Sequence, residues 1–388
     1  MIAGGGPAGL AAGIVLAEVG LRIIICEPKA YPIDKACGEG VMPSGVSELC
    51  KLGIDRYLSP DKYARLKGVR YHAHDGVEAT GIFAEGPGWG IARTQLSMAI
   101  RRRVSDFSNI SIIPGKFTAY RKDADGLIIE TNTPRRFRTR LLIGADGLHS
   151  IVRREANLDG PSSKLRRWGI RRHFKVAPLS DFVEVYWSDG IEAYITPCGT
   201  NMVDVVFLCH NDMLQKSTGA EPIFNQLLTS FSSMDSKLQG VRRCDPIRSA
   251  GPFHQRAQSL VADGVILLGD AAGYLDAITG EGISLALTQA SLIKKTVVPI
   301  LNNLQGVPSV HDLQPYARAH VKSVRLYYLL THLALFFSRH PKMTGKSIQT
   351  LRAPPDVFQS LLTLNMGRLT PGRAILQAVC RLSEGLFH

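Results

Sequence analysis

The chain has 388 residues, 45% of them hydrophobic, which allows one large domain or two that share an interface around a sizeable core. Lys and Arg outnumber Asp and Glu by 46 to 33, but the basic pairs lie within strand and helix patterns; with no zinc-finger spacing, RNP-like aromatic strand or Arg/Gly tail, nucleic-acid binding is disfavoured. Seven cysteines, at 26, 37, 50, 198, 209, 244 and 380, form no CxxC pair, so no disulfide framework or sulfur-rich metal site is indicated and a reducing, cytoplasmic setting fits.

The first residues, MIAGGGPAG, lack the basic and long apolar regions of a signal peptide. They contain a GxGxxG pattern at Gly4, Gly6 and Gly9, which opens an apolar helix pattern over 10–20 and a strand pattern over 21–27. Glu27 ends that strand 21 residues after Gly6, near the distance at which a carboxylate meets a nucleotide ribose. Gly4 makes the turn, Gly6 lets the backbone approach a pyrophosphate, and Gly9 lets the helix pack close; Pro7 and Ala8 within the turn and Pro28 after the acid join these as candidate cofactor-binding residues. Only three residues precede Gly4, so the first strand is expected to be a stub unless the chain starts further upstream.

A nicotinamide-binding dehydrogenase would proceed to another strand–helix unit. Here 28–43 is a turn-rich excursion holding Cys37, Gly38, Glu39 and Gly40, suited to laying backbone on a large flat ring, and helical patterning returns over 44–52. Further on, WGIARTQLSMAI (89–100) places Arg93 at a helix start. In LLIGADGLHSIVRR (141–154) an apolar strand breaks at Gly144 and Gly147, with Asp146 between them, and Ser150 is positioned to cap the following helix.

Between 155 and 264 the character changes to strands with turns, a mostly antiparallel sheet with a helical connection over 211–240 and a strand over 241–249. Tyr186, Trp187, Tyr194, Pro197, Phe207 and His210 are the candidate substrate-pocket residues, although Trp187 and Phe207 also suit a core and His210 a structural role. No Ser/His/Asp trio or metal cluster emerges. VILLGDAAGYLDAITGEGISLAL (265–287) then repeats the strand–glycine–acid design with Gly269 and Asp270, and Gly280, Glu281, Gly282 and Ile283 lead into a helix whose positive end suits an electron-rich ring edge. Glu281 there opposes that field unless it caps the helix or points away.

These three motifs, in this order, resemble the large flavoprotein family that includes the aromatic hydroxylases, the flavin-dependent halogenases and the geranylgeranyl reductases. The resemblance covers residues 1 to about 290. It implies an α/β fold: a Rossmann-like FAD-binding domain of the p-hydroxybenzoate hydroxylase/glutathione reductase type, an inserted mostly antiparallel substrate domain and a C-terminal helical region. The expected division is 1–70, 90–160 and 250–320 for FAD, 71–89 and 161–249 for substrate, and 321–388 for the tail. It further implies that Asp146 belongs to a network near the pyrophosphate and a transiently bound NADH or NADPH, and that Asp270 accepts a hydrogen bond from a ribityl hydroxyl. GDAAG with TGEGI, and CGEG at 37–40, are closest to the geranylgeranyl reductases, while the WxWxIP signature of the halogenases is missing.

The resulting expectation is an FAD-dependent monooxygenase acting on an aromatic or isoprenoid-like small molecule with NAD(P)H and O2. The alternatives are a polyprenyl reductase-like enzyme acting on carbon–carbon double bonds and a non-catalytic redox protein. Cys37 and Glu281 are the candidate catalytic residues, and a separate flavin reductase is a conceivable electron donor. In the tail, LYYLLTHLALFF (326–337) is too short to span a bilayer and is flanked by Lys and Arg. The segment 322–352 either touches the inner membrane surface peripherally or caps the FAD domain as an ordinary helical subdomain.

Overall fold

The computed structural model describes residues 1–161, 166–188, 190–214, 219–352 and 355–365. Cys380 and the rest of 366–388 lie outside the described residues, as does the expected turn position 189.

A six-stranded sheet runs in the order Val261–Ala262, Val265–Leu267, Leu142–Gly144, Ile2–Ala3, Ile23–Glu27 and Ile110–Pro114. All neighbours are parallel except the first pair. The stub strand needs only two residues because it is held on both sides: Ile2 pairs with Ile143 and Ile25. The helix Pro7–Ala17 is apolar all round, and residues 8–17 are all buried. It lies against the sheet and the later helix Gly282–Thr296, as a helix without a polar face must.

The second layer is a seven-stranded sheet in the order Arg248–Ala250, Arg167–Phe174, Val203–His210, Ile191–Pro197, Phe182–Ser188, Gly68–His72 and Glu78–Ile82. It is antiparallel apart from the pairing of Phe182–Ser188 with Gly68–His72. One face packs on the helices Ala220–Thr229 and Ser232–Leu238 through Phe207, Phe224 and Phe231. The other face looks down on the nucleotide side of the first sheet and forms a roof. The expected strand over 241–249 shrinks to Arg248–Ala250, where the roof offers its edge.

Buried charges fasten roof to floor. Arg171 of the roof binds Asp34 of the front excursion and Asp245, while His173 pairs with Glu39 (2.7 Å) and Asp245 (2.8 Å). Burial alone would lower the His173 pKa, but the hydrogen bonds to Asp245 and Glu39 reverse this and raise it to about 10. Three helices, Gln314–Ser338, Pro341–Arg352 and Pro355–Asn365, close one side of the space between the sheets. Among the described residues no helix is long and apolar enough to cross a membrane.

Candidate active site

A cavity of about 610 Å³ lies between the sheets. Gly4, Gly6, Pro7, Ala8, Glu27 and Pro28 line one end. The excursion contributes Cys37, Gly38, Glu39 and Gly40, and the helix Arg93–Val104 contributes Arg93. Asp146 and Gly147 line the floor, and Gly269, Asp270, Gly280, Glu281, Gly282 and Ile283 come in from the last third of the chain. Segments more than 250 residues apart in sequence therefore meet at one site.

The glycines divide by function. A Cβ on Gly4 (φ +102) would lie 2.3 Å from the Ala145 carbonyl oxygen, and one on Gly9 would lie 1.9 Å from the Gly4 oxygen. These two allow the turn to close, and Gly9 itself does not line the cavity. On Gly6 the nearest atom would be the Arg93 guanidinium at 3.9 Å, and on Gly38 nothing lies within 4 Å. Their missing side chains leave room for a ligand. Glu27 accepts from Gly5 N (2.7 Å) and Lys29 N (2.9 Å), which fixes its carboxylate at the strand end with lone pairs left for a ribose.

Lys35, which sequence reasoning did not single out, lines the same floor and donates to Asp270 (3.2 Å). Asp270, read from the sequence as the ribityl acceptor, is thus shared with an ammonium group. Lys35 and Arg93 place two cationic groups along a backbone cradle that two helix starts also face, at Pro7 and Gly282. This is the donor set a dinucleotide diphosphate requires, so the residues fit FAD.

Asp146 is turned to its own chain: it accepts from Ser150 Oγ (2.5 Å), Ile151 N (2.7 Å) and Val152 N (3.1 Å). Ser150 in turn accepts from Arg153 N (3.0 Å), as a helix cap. Glu281 occupies the cap position of Gly282–Thr296 and is 3% exposed; burial pushes its carboxyl up to about 8. At neutral pH it is mostly protonated and leaves the positive end of that helix unopposed. Burial likewise pushes the Cys37 thiol up to about 11. Cys37 is therefore a neutral thiol, not a thiolate.

The roof corrects part of the sequence reading. Val183, Val185, Trp187, Tyr194, Val206 and Leu208 face the cavity. Tyr186 and Phe207, adjacent to inward residues, point to the opposite face and join the helix-side core. Pro197 lies three positions from Tyr194 and points away too, its carbonyl packed over Gly90. His210 is in phase with Leu208, but the strand end carries it beyond the cavity, beside Gly190. A strand cannot present Tyr186 and Trp187 to one side, so at most one of them could face the substrate.

Glu39, His173 and Cys198 bring donor atoms within 4.8 Å of one another, although no metal cluster was read from the sequence. Glu39 already accepts from Arg93 N (2.7 Å) and pairs with His173, whose other nitrogen meets Asp245. The group serves as an ion-pair and capping network.

A family profile described as FAD binding domain matches residues 116–312, just over half of the chain. The chain belongs to that FAD-binding family. This flavoprotein is an FAD-dependent oxidoreductase. It is 24% identical over 308 residues to menaquinone reductase of Mycobacterium tuberculosis, covering 75% of this chain and 74% of the relative. It is 27% identical over 353 residues to the chloroplastic geranylgeranyl diphosphate reductase of Arabidopsis thaliana, covering 81% of this chain and 68% of the relative. In fold it is similar to the flavin-dependent brominase Bmp2, with a TM-score of 0.84, 18% identity and coverage of 99% and 97%.

Proposed function

We propose that the flavoprotein reduces carbon–carbon double bonds of an isoprenoid, lipid-like substrate with hydride from NADH or NADPH. One observation carries this reading: the cavity does not stop above the FAD cradle. It continues beneath the roof to a wall of Leu330, Leu333 and Phe337 from the first C-terminal helix, Ile348 and Leu351 from the second, and Phe358 from the third. A flat aromatic substrate needs no such extension, whereas a flexible apolar chain gains from burial along its length. The similarity to reductases named for menaquinone and geranylgeranyl diphosphate supports the same choice.

When bound, FAD supplies a hydride carrier between nicotinamide and alkene. The remaining work falls to the chain. Gly6, Arg93 and Lys35 would hold the diphosphate end of FAD, and the helix start at Gly282 would lie toward its ring. Val183, Val185, Val206 and Leu208 exclude water and press the alkene toward the floor. Hydride goes to one alkene carbon; the other takes a proton from Cys37 or Glu281, both neutral at pH 7. A solvent proton restores the donor, and the nicotinamide leaves oxidised.

The same dry roof suits a second reading, monooxygenation, because an oxygen-transferring site must also keep water away. The test is to reduce the FAD-loaded protein photochemically without oxygen and add a geranylgeranyl-bearing quinone. Return of the oxidised-flavin absorbance with a product gaining two hydrogens supports reduction. Reoxidation only with O2, and a product gaining one oxygen atom, replaces it by monooxygenation.

A further inference from the structure

The helix Gln314–Ser338 has three differently used sides. Tyr316, Val324, Tyr327 and Leu335 are buried against the protein. Leu330, Leu333 and Phe337 line the cavity. The third side is exposed: Val321, Leu329 and Phe336 are 56%, 60% and 44% exposed, three of the six exposed large hydrophobic residues among those described. At 3.6 residues per turn these three fall, together with Lys322, Arg325 and Arg339, within an arc of about 100°.

The charge on this side is of one sign. Between Asp312 and Asp356 the sequence contains seven Lys and Arg residues and no acid. Lys322, Arg325 and Arg339 are exposed, and none has a carboxylate within 4.0 Å among the described residues. Arg256 joins the same side by donating to His332 (3.3 Å).

We propose that this outward side docks the flavoprotein on an anionic lipid bilayer. The arc offers apolar and cationic groups together, so its partner must be apolar and negatively charged over the same area. An acidic headgroup layer over acyl chains meets both demands, whereas a nucleic-acid backbone meets only the second. The docking stands on the exposed row itself, not on the reaction chosen above. If that reaction also holds, one helix separates the bilayer from the cavity, and a lipid-borne substrate has a short path inward.

The full-length, FAD-loaded protein is sedimented with vesicles of phosphatidylcholine alone or mixed with phosphatidylglycerol. Binding is expected only to the mixed vesicles and is lost at high salt. Arg325→Gln with Arg339→Gln weakens it about 30-fold, at about fivefold per cationic side chain. Leu329→Asp with Phe336→Asp abolishes it. All four positions are exposed, so FAD content and melting temperature stay at wild-type values, which separates lost docking from lost folding. Three results would overturn the proposal: no binding by the wild type, equal binding to neutral vesicles, or wild-type binding by both double variants. A dimer in solution that Leu329→Asp dissociates would also overturn it, because a second copy would then cover the face.

Discussion

His173 is the place where fold and pH are most tightly joined. Replacing it by leucine removes two charge-assisted hydrogen bonds, of 2.7 Å to Glu39 and 2.8 Å to Asp245, and leaves two carboxylates short of a cation. Such bonds contribute about 1.5–3 kcal/mol each, and breaking one side of a buried charged pair costs about 3–5 kcal/mol. The expected loss at pH 7 is therefore about 3–5 kcal/mol. The imidazole is raised in the folded state from 6.5 to about 10. Its contribution is accordingly full below pH 6.5 and is lost as pH rises through about 10; at about 1.4 kcal/mol per pH unit this agrees with the bond-based figure. Equilibrium urea unfolding of both proteins, at equal FAD and at several pH values, should show a wide gap at pH 7 that closes above pH 10. A gap below about 1 kcal/mol at pH 7, or one of constant size to pH 11, would refute the clamp.

Gly9→Ala should keep the secondary structure measured by circular dichroism but weaken FAD binding about 5- to 150-fold in a flavin-fluorescence titration. The new methyl group displaces the Gly4 carbonyl, an overpacking cost of about 1–3 kcal/mol. Cys37→Ala should leave FAD bound and slow turnover; unchanged kinetics would remove Cys37 from the reaction. If Glu281 is the proton donor, the wild-type rate falls as pH rises through about 8, and Glu281→Gln, slow throughout, lacks that limb. Leu333→Trp, at the far cavity wall, should raise KM for long isoprenoid substrates while leaving short ones and FAD affinity unchanged.

The floor of the site was legible because its conformation is local. GGGPAG, ADG and GDAAG each need glycine at fixed offsets from an acid; the helix Gly282–Thr296 begins one position before its expected start, and Pro7–Ala17 begins three positions before the expected residue 10. The roof was legible as strands but not as faces. The sequence runs apolar on both sides there, since one face packs on helices and the other on the cavity, so alternation carried no in–out label. Lys35 and the clamp of Glu39, Arg171, His173 and Asp245 were beyond local reading: they join positions 34–39, 171–173 and 245 through the tertiary fold alone. The tail was seen as apolar and basic. Its separation into a cavity side and an outer side required knowing which way the helix lies.

The central claim is that the first glycine turn and the GD turn grip one FAD from opposite ends of the chain. Gly6 tests it most directly, because a Cβ there meets no protein atom nearer than the Arg93 guanidinium at 3.9 Å and points into the space assigned to the cofactor. FAD is titrated into apoprotein carrying Gly6→Val, Asp270→Asn or neither, with folding monitored in parallel. One FAD per wild-type chain is predicted, with strong loss in the valine variant, weakening in the asparagine variant and native melting behaviour in both apoproteins. Wild-type affinity in either variant would contradict the shared grip.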